Sequence, residues 1–295
     1  MGMIYRTLGK SGLKVSLLGL GAGAIGADEL DEGAVARLCE AALEAGVNFF
    51  DAARSYGRAE ERLGRLLRGR TDVVVSTKGG YDVEGAGDWT PEALRGGIAG
   101  ACRRLRRDRI DVFHLHSCPL DVLRREDLLR VLDDARAAGD IGTAGYSGEN
   151  EALEWATASG HFEVVQMSLN LFDQGSLAAR LPRALAAGLG VIAKRPLGNA
   201  PWRFAERPAR DDVAVYWDRM RALALVPSPT VSLAELSLRF AAFSPGVGTV
   251  IVGTADPEHL REAAAALARG PLPEADRQTL VEAYARHGGG WEGLV

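Results

Sequence analysis

The feature that most constrains this chain is an alternation running its whole length. Short apolar runs recur eight times in 295 residues, separated by amphipathic stretches of helical period. The runs are LLGLG, VNFF, VVVST, IDVFHLH, TAGYS, VVQMS, GVIAK and GTVIVG. Helical patterns lie between them over residues 32–44, 60–67, 91–105, 125–138, 151–158, 177–187 and 233–243. Runs that are apolar on both faces belong in a parallel sheet covered by helices, and eight of them suffice to close it. The sequence therefore predicts an α/β fold, a (β/α)8 TIM barrel, formed as a single domain over residues 1–295.

Three segments fall outside that rhythm. IYRTLGKSGLKVS reads as an N-terminal β-hairpin turning at Gly9 to Gly12. Residues 198–230, with several prolines, Trp202 and a short helical pattern at 216–223, form a long loop insertion after strand 7, expected to cover the ligand. At the end, HGGGWEGLV carries three glycines in a row, which predicts a mobile tail bearing Trp291.

Charge and cysteine content exclude several classes. A formal charge of −4 gives no footprint for nucleic acid or an anionic membrane surface. The one basic cluster, Arg103 to Arg109, ends a predicted helix, where cations complement the dipole. Cys39, Cys102 and Cys118 lack the spacing of a disulfide framework, which fits a reducing, cytoplasmic setting. The N-terminal residues lack an apolar leader pattern, and no run is long enough to span a bilayer.

Four polar residues stand at or just past strand ends: Asp51 after VNFF, Tyr56 one short loop further, Lys78 after VVVST, and His116 in DVFHLH. In a (β/α)8 barrel the strand C-termini converge on one face and carry the chemistry. A phenol is a poor acid at neutral pH, so a tyrosine that donates a proton needs a neighbour that stabilises its anion. Lys78 is such a neighbour, and Asp51 can hold that ammonium charged and in place. His116 completes the set as a neutral donor that can orient a carbonyl and share its developing charge. His114 shares its strand face but lies one step deeper, and is read as a hydrogen-bonded core histidine. An H-x-H metal pair would need further histidines at strand ends, and His161, His259 and His287 are not so placed; no metal is expected.

Gly21-Ala22-Gly23-Ala24-Ile25-Gly26 matches GxGxxG, a dinucleotide fingerprint. The helix, however, begins only after ADELDE, whose carboxylates would repel a pyrophosphate. Gly21 and Ala22 are read instead as letting the end of the first strand come close to a ligand.

NFFDAARSYGRAEERLG, VVVSTKGG and DVFHLHSCP together resemble the signature segments of the aldo-keto reductase family in order, spacing and strand placement. The resemblance extends from GLGAG through GYS and VVQMSLN to VIVGTADPEHLREA. It implies a barrel that binds a nicotinamide dinucleotide in an extended pose and passes hydride directly to a small-molecule carbonyl, or takes it from an alcohol. By that similarity Tyr56 is the general acid and base, Lys78 and Asp51 stabilise its anion, and His116 places the carbonyl. Ser147 and Gln166 match residues holding the nicotinamide carboxamide. Lys194, Arg195, Pro196, Leu197 and Gly198 match the segment beside the ring and pyrophosphate, and Gly253, Thr254, His259 and Glu262 match the adenosine end.

The departures are specific. Gly148 follows Ser147 where the family usually has Asn, Lys194 replaces a stacking aromatic, and Gly253 and His259 stand where a basic pair meets the 2′-phosphate. NADP is the expected cofactor on family grounds, with NAD the alternative. A monomer or weak oligomer is expected. A non-catalytic nicotinamide-binding sensor on the same barrel is the competing reading, weighed against the complete set of Asp51, Tyr56, Lys78 and His116.

Overall fold

A computed structural model describes residues 2–225 and 230–295. Two strands, β1 (Tyr5–Thr7) and β2 (Lys14–Ser16), pair antiparallel across the turn at Gly9–Ser11. Eight parallel strands then close into a barrel: β3 (Leu18–Gly21), β4 (Phe49–Asp51), β5 (Val74–Gly79), β6 (Ile110–His116), β7 (Ile141–Ser147), β8 (Val164–Ser168), β9 (Gly190–Lys194) and β10 (Val247–Gly253), with β10 returning to β3. The expected (β/α)8 barrel and its N-terminal hairpin are both present.

Helix boundaries follow local chemistry. Asp31, Thr90 and Ser232 each accept a backbone N–H with their side chains at the start of Glu32–Glu44, Pro91–Leu105 and Leu233–Ala242. Gly139 ends Glu126–Ala138 in the left-handed conformation. Pro91–Leu105 likewise stops inside the arginine cluster, where Arg106 takes φ 53°. No helix of the described residues is long and apolar enough to cross a membrane. All three cysteines are free.

The hairpin seals one end of the barrel. Leu8 and Val15 join Phe49, Val74, Val112, Val164, Ile192 and Ile251 in a compact apolar cluster that fills the lower interior. The approach is close enough to require glycine at position 190, where a Cβ would meet the Leu8 side chain at 2.6 Å. Because strand side chains alternate, the residue two places on from each interior apolar group points into the barrel one layer higher. That step reaches Asp51 from Phe49, Ser76 from Val74, His114 from Val112, Gln166 from Val164 and Lys194 from Ile192. The interior thus changes from hydrocarbon to polar groups within one layer.

The insertion after β9 consists of a turn at Pro201–Arg203 and the helix Asp211–Leu223, longer at its start than the sequence pattern indicated. The part of the predicted insertion at 226–229 lies outside the described residues.

Candidate active site

Asp51, Lys78 and Tyr56 form one bonded unit. The Lys78 ammonium donates to Asp51 Oδ2 at 2.5 Å and to the Ala52 carbonyl at 2.8 Å, and stands 3.5 Å from the Tyr56 hydroxyl. Three acceptors for three protons is the full valence of an ammonium. Asp51 Oδ1 in turn accepts from Ser76 Oγ at 2.9 Å and Gln166 Nε2 at 3.0 Å. Asp51 and Lys78 are each 1 % exposed, so neither charge is screened by solvent. Burial alone would lower the Lys78 pKa, but Asp51 and Tyr56 outweigh it and hold the group above its ordinary value.

Tyr56 is positioned by a loop with no regular structure, and glycine makes its place. Arg58 N donates to the Gly26 carbonyl at 2.9 Å. A Cβ on Gly26 would lie 1.9 Å from the Tyr56 carbonyl oxygen, and one on Gly23 would touch the Tyr56 ring at 3.8 Å. The loop after β3 is clamped by the fully buried Arg62, which donates to the carbonyls of Ile25, Ala27 and Leu30 at 2.7, 2.6 and 3.0 Å. The last glycine of the apparent fingerprint therefore serves the Tyr56 loop, while Gly21 and Gly23 line the cleft described below.

His116 stands edge-on to Tyr56, ring centroids 5.9 Å apart at 84°. Burial, reinforced by Lys78 and Lys194, pushes its pKa down to about 2, so the ring is neutral throughout the working range. Its Nδ1 lies 2.7 Å from the Tyr81 hydroxyl. His114 is fully buried, as its deeper position indicated, and Nε2 meets Ser76 Oγ at 3.1 Å. The expected hydrogen-bonded core histidine is thus bonded through Nε2, while Nδ1 has no hydrogen-bond partner among the described residues. The ring occupies space left by Gly145, where a Cβ would come within 2.3 Å of Nδ1.

These groups open onto a cleft of about 680 Å³ at the C-terminal ends of the strands. Gly21, Asp51, Tyr56, His116, Ser147, Gln166, Lys194, Arg195, Pro196, Leu197 and Gly253 border it, joined by Asn199, Ala200, Arg203 and Arg210 from the insertion. Ala22 and Gly198 adjoin this wall, whereas Thr254, His259 and Glu262 lie beyond it, around the start of the helix Pro257–Ala268. Walls of bare glycine backbone with four cationic side chains suit an elongated ligand that carries phosphate. Ser147 Oγ donates to Gln166 Oε1 at 2.9 Å, which leaves that carbonyl a second lone pair facing the same region. Lys194 is paired with the buried Glu149 at 3.2 Å.

The C-terminal residues depart from expectation. Instead of a free tail, residues 291–295 are docked across this end of the barrel. Trp291 packs against Tyr284 at 5.5 Å and under the Arg219 guanidinium at 5.2 Å, and Arg219 donates to the Glu292 carbonyl at 2.6 Å. Asn150 and Gly293 exchange two hydrogen bonds, at 2.9 and 3.1 Å. Arg195 donates to the carbonyls of Leu294 and Val295, and Val295 borders the cleft. Three glycines rule out a helix but not a docked strap whose polar groups find partners.

Trp89, Trp202 and Cys118 stand on loops at the same face of the barrel but serve other contacts. Trp89 covers Gly80 and Tyr81, Trp202 packs against Phe172 at 6.2 Å, and Cys118 is buried, its thiol pushed up to about 12 chiefly by that burial. None of them borders the cleft. Sequence reasoning missed Tyr81 and Arg62. An aromatic three residues past Lys78 was a visible signal for the first, and nothing local marked the second.

Residues 17–285 match the family model described as the aldo/keto reductase family. A probable voltage-gated potassium channel subunit beta of Oryza sativa subsp. japonica is 31% identical, covering 96% of this chain and 97% of the relative. The 6-dehydroglucose reductase of Novosphingobium aromaticivorans is 29% identical over 89% of this chain and 90% of its own. The holo form of an aldo-keto reductase from Bacillus halodurans superposes with a TM-score of 0.82 at 23% identity, covering 95% of this chain and 96% of that one.

Proposed function

The chain belongs to the aldo/keto reductase family, and from that premise we propose that it is an NADP-linked oxidoreductase that reduces aldehydes or ketones to alcohols, or runs the reverse reaction. The observation that carries the reading is the Lys78 ammonium, fixed by Asp51 at 2.5 Å and set 3.5 Å from the Tyr56 hydroxyl. An ammonium so placed stabilises negative charge developing on the phenol oxygen more than it stabilises the neutral phenol.

A bound nicotinamide supplies or takes up the hydride. Gly21, Ala22, Asp51, Ser147, Gln166, the segment 194–198, Gly253, Thr254, His259 and Glu262 are the residues proposed to hold that cofactor. Tyr56 gives its proton to the carbonyl oxygen in reduction and recovers one in oxidation. Charge left on the phenol oxygen meets Lys78, which Asp51 keeps in place. His116, neutral at working pH, donates to the same substrate oxygen without competing for its proton.

The similarity to a protein named as a potassium channel subunit favours a second reading, a nicotinamide-binding regulatory protein on this barrel. Purified protein incubated with NADPH and a panel of small aldehydes, hydroxylated ones included, separates the two. Reduction should proceed, and Tyr56→Phe should lower it by about 10²- to 10⁴-fold with NADPH affinity unchanged. Tight NADPH binding without turnover on any carbonyl would favour the regulatory reading, and full turnover in Tyr56→Phe would remove that residue from the chemistry.

A further inference from the structure

A neutral imidazole has one N–H and one bare nitrogen, and their assignment decides whether His116 can donate toward a carbonyl oxygen. Its Nδ1 is taken by the Tyr81 hydroxyl at 2.7 Å. That is the one side-chain hydrogen bond of the ring among the described residues, and the ring borders the cleft beside Tyr56. Tyr81 follows β5 in a loop built to hold it. Its ring stacks on His116 at 5.7 Å and 23°, and Trp89 meets it edge-on at 5.6 Å. Trp89 is itself fixed: its backbone N–H donates to the Gly80 carbonyl at 2.7 Å, and its ring lies where a Gly80 Cβ would come within 2.1 Å.

We propose that Tyr81 is a positioning residue for carbonyl reduction: its phenol donates to Nδ1 of His116 and fixes the imidazole proton on Nε2, the nitrogen left to donate to the substrate oxygen. The Tyr81 hydroxyl has a single proton and two neighbours, His116 Nδ1 at 2.7 Å and Ser55 Oγ at 3.3 Å. The shorter contact takes the proton, and Ser55 can donate to the Tyr81 oxygen in return. Burial pushes the Tyr81 pKa up, so the phenol remains a donor. Were the proton on Nδ1, a bare Nε2 lone pair would face the substrate oxygen as it gains negative charge and would oppose the reaction.

The consequence for turnover rests on the proposed function, whereas the tautomer does not, so the two can fail separately. Nitrogen-15 NMR of histidine-labelled protein, with the His116 signals identified by their loss in His116→Asn, should show Nε2 protonated and Nδ1 bare and hydrogen-bonded. In Tyr81→Phe the Nδ1 resonance should move to its unbonded position. Steady-state kinetics of that variant should show kcat reduced by about tenfold or more with NADPH affinity unchanged. A proton on Nδ1 in the wild-type protein overturns the proposal even if Tyr81→Phe does not fold. A kcat within twofold of wild type overturns the positioning role. Absence of any wild-type turnover, with the tautomer as stated, counts against the oxidoreductase reading and leaves the hydrogen bond standing.

Discussion

The ammonium of Lys78 lies 4.8 Å from the ring centre of Tyr56 as well as 3.5 Å from its hydroxyl, so one cation meets both the face and the oxygen of the same phenol. The two side chains arrive from different elements, Lys78 from β5 and Tyr56 from the loop after β4. Neither could hold this relationship without Asp51, which ties the strand ends together.

Lys78→Met should therefore damage stability and turnover together. Removing the cation strands the Asp51 carboxylate in a dry interior, and losing one partner of a buried pair costs about 3–5 kcal/mol. Denaturant unfolding should show that loss, and carbonyl reduction should fall by at least ~10²-fold. A variant as stable as wild type would show that the Asp51–Lys78 pair contributes nothing net to the fold.

Gly26→Ala tests how the Tyr56 loop is seated. The added methyl would sit 1.9 Å from a backbone oxygen, which cannot rotate away as a side-chain end can. A destabilisation of about 2–3 kcal/mol is expected, together with reduced turnover as Tyr56 leaves the Lys78 ammonium. Unchanged melting and activity would show that the two loops separate freely.

Arg195→Ala should release the C-terminal strap. Its guanidinium donates to the Leu294 and Val295 carbonyls, so loss of these bonds should speed limited proteolysis within 288–295 by about tenfold. An unaltered cleavage rate would assign the anchoring to Arg219 and Asn150.

Asp173 provides a test against pH. It is buried, and that burial, with the Glu149 charge, pushes its pKa up to about 6, against the Tyr216 hydroxyl at 3.1 Å and Arg219 at 3.7 Å, which favour the anion. A raised folded-state pKa means stability that is full below the ordinary carboxylate range and is lost as pH rises through about 6. Asp173→Asn resembles the neutral acid at every pH. It should gain on wild type by up to about 3 kcal/mol between pH 4 and 7.5, read from paired denaturation curves. A constant difference across that range would show that Asp173 stays ionised.

His259→Arg addresses the adenosine end. His259 is half-exposed, with Nδ1 3.3 Å from Thr254 Oγ1 and Nε2 4.0 Å from Asp256. If a 2′-phosphate is met there, arginine should raise the NADPH-over-NADH ratio of kcat/KM by about tenfold. No change in the ratio would locate that phosphate elsewhere.

The barrel was legible because strand and helix periods are local properties, and eight repeats of one pattern leave few ways to close. The positions of Asp51, Lys78 and His116 were legible for the same reason, since a polar residue ending an apolar strand of a barrel must face the C-terminal rim. Tyr81 was not, because its role depends on how Trp89 folds back over Gly80, a contact across a loop with no period. Arg62 escaped notice since arginine on a helix is ordinarily solvated, and only the path of the loop after β3 reveals its three backbone partners. The tail was misread for a related reason. Glycine content reports the freedom of an isolated chain, and says nothing of carbonyls captured by Arg195 and Arg219.

The hairpin under the barrel has a bearing on traffic. With Leu8 and Val15 packed into the lower opening, the approach to Tyr56 seen among the described residues is the cleft at the strand C-termini. Whatever arrives at the phenol comes past the strap and leaves by the same door.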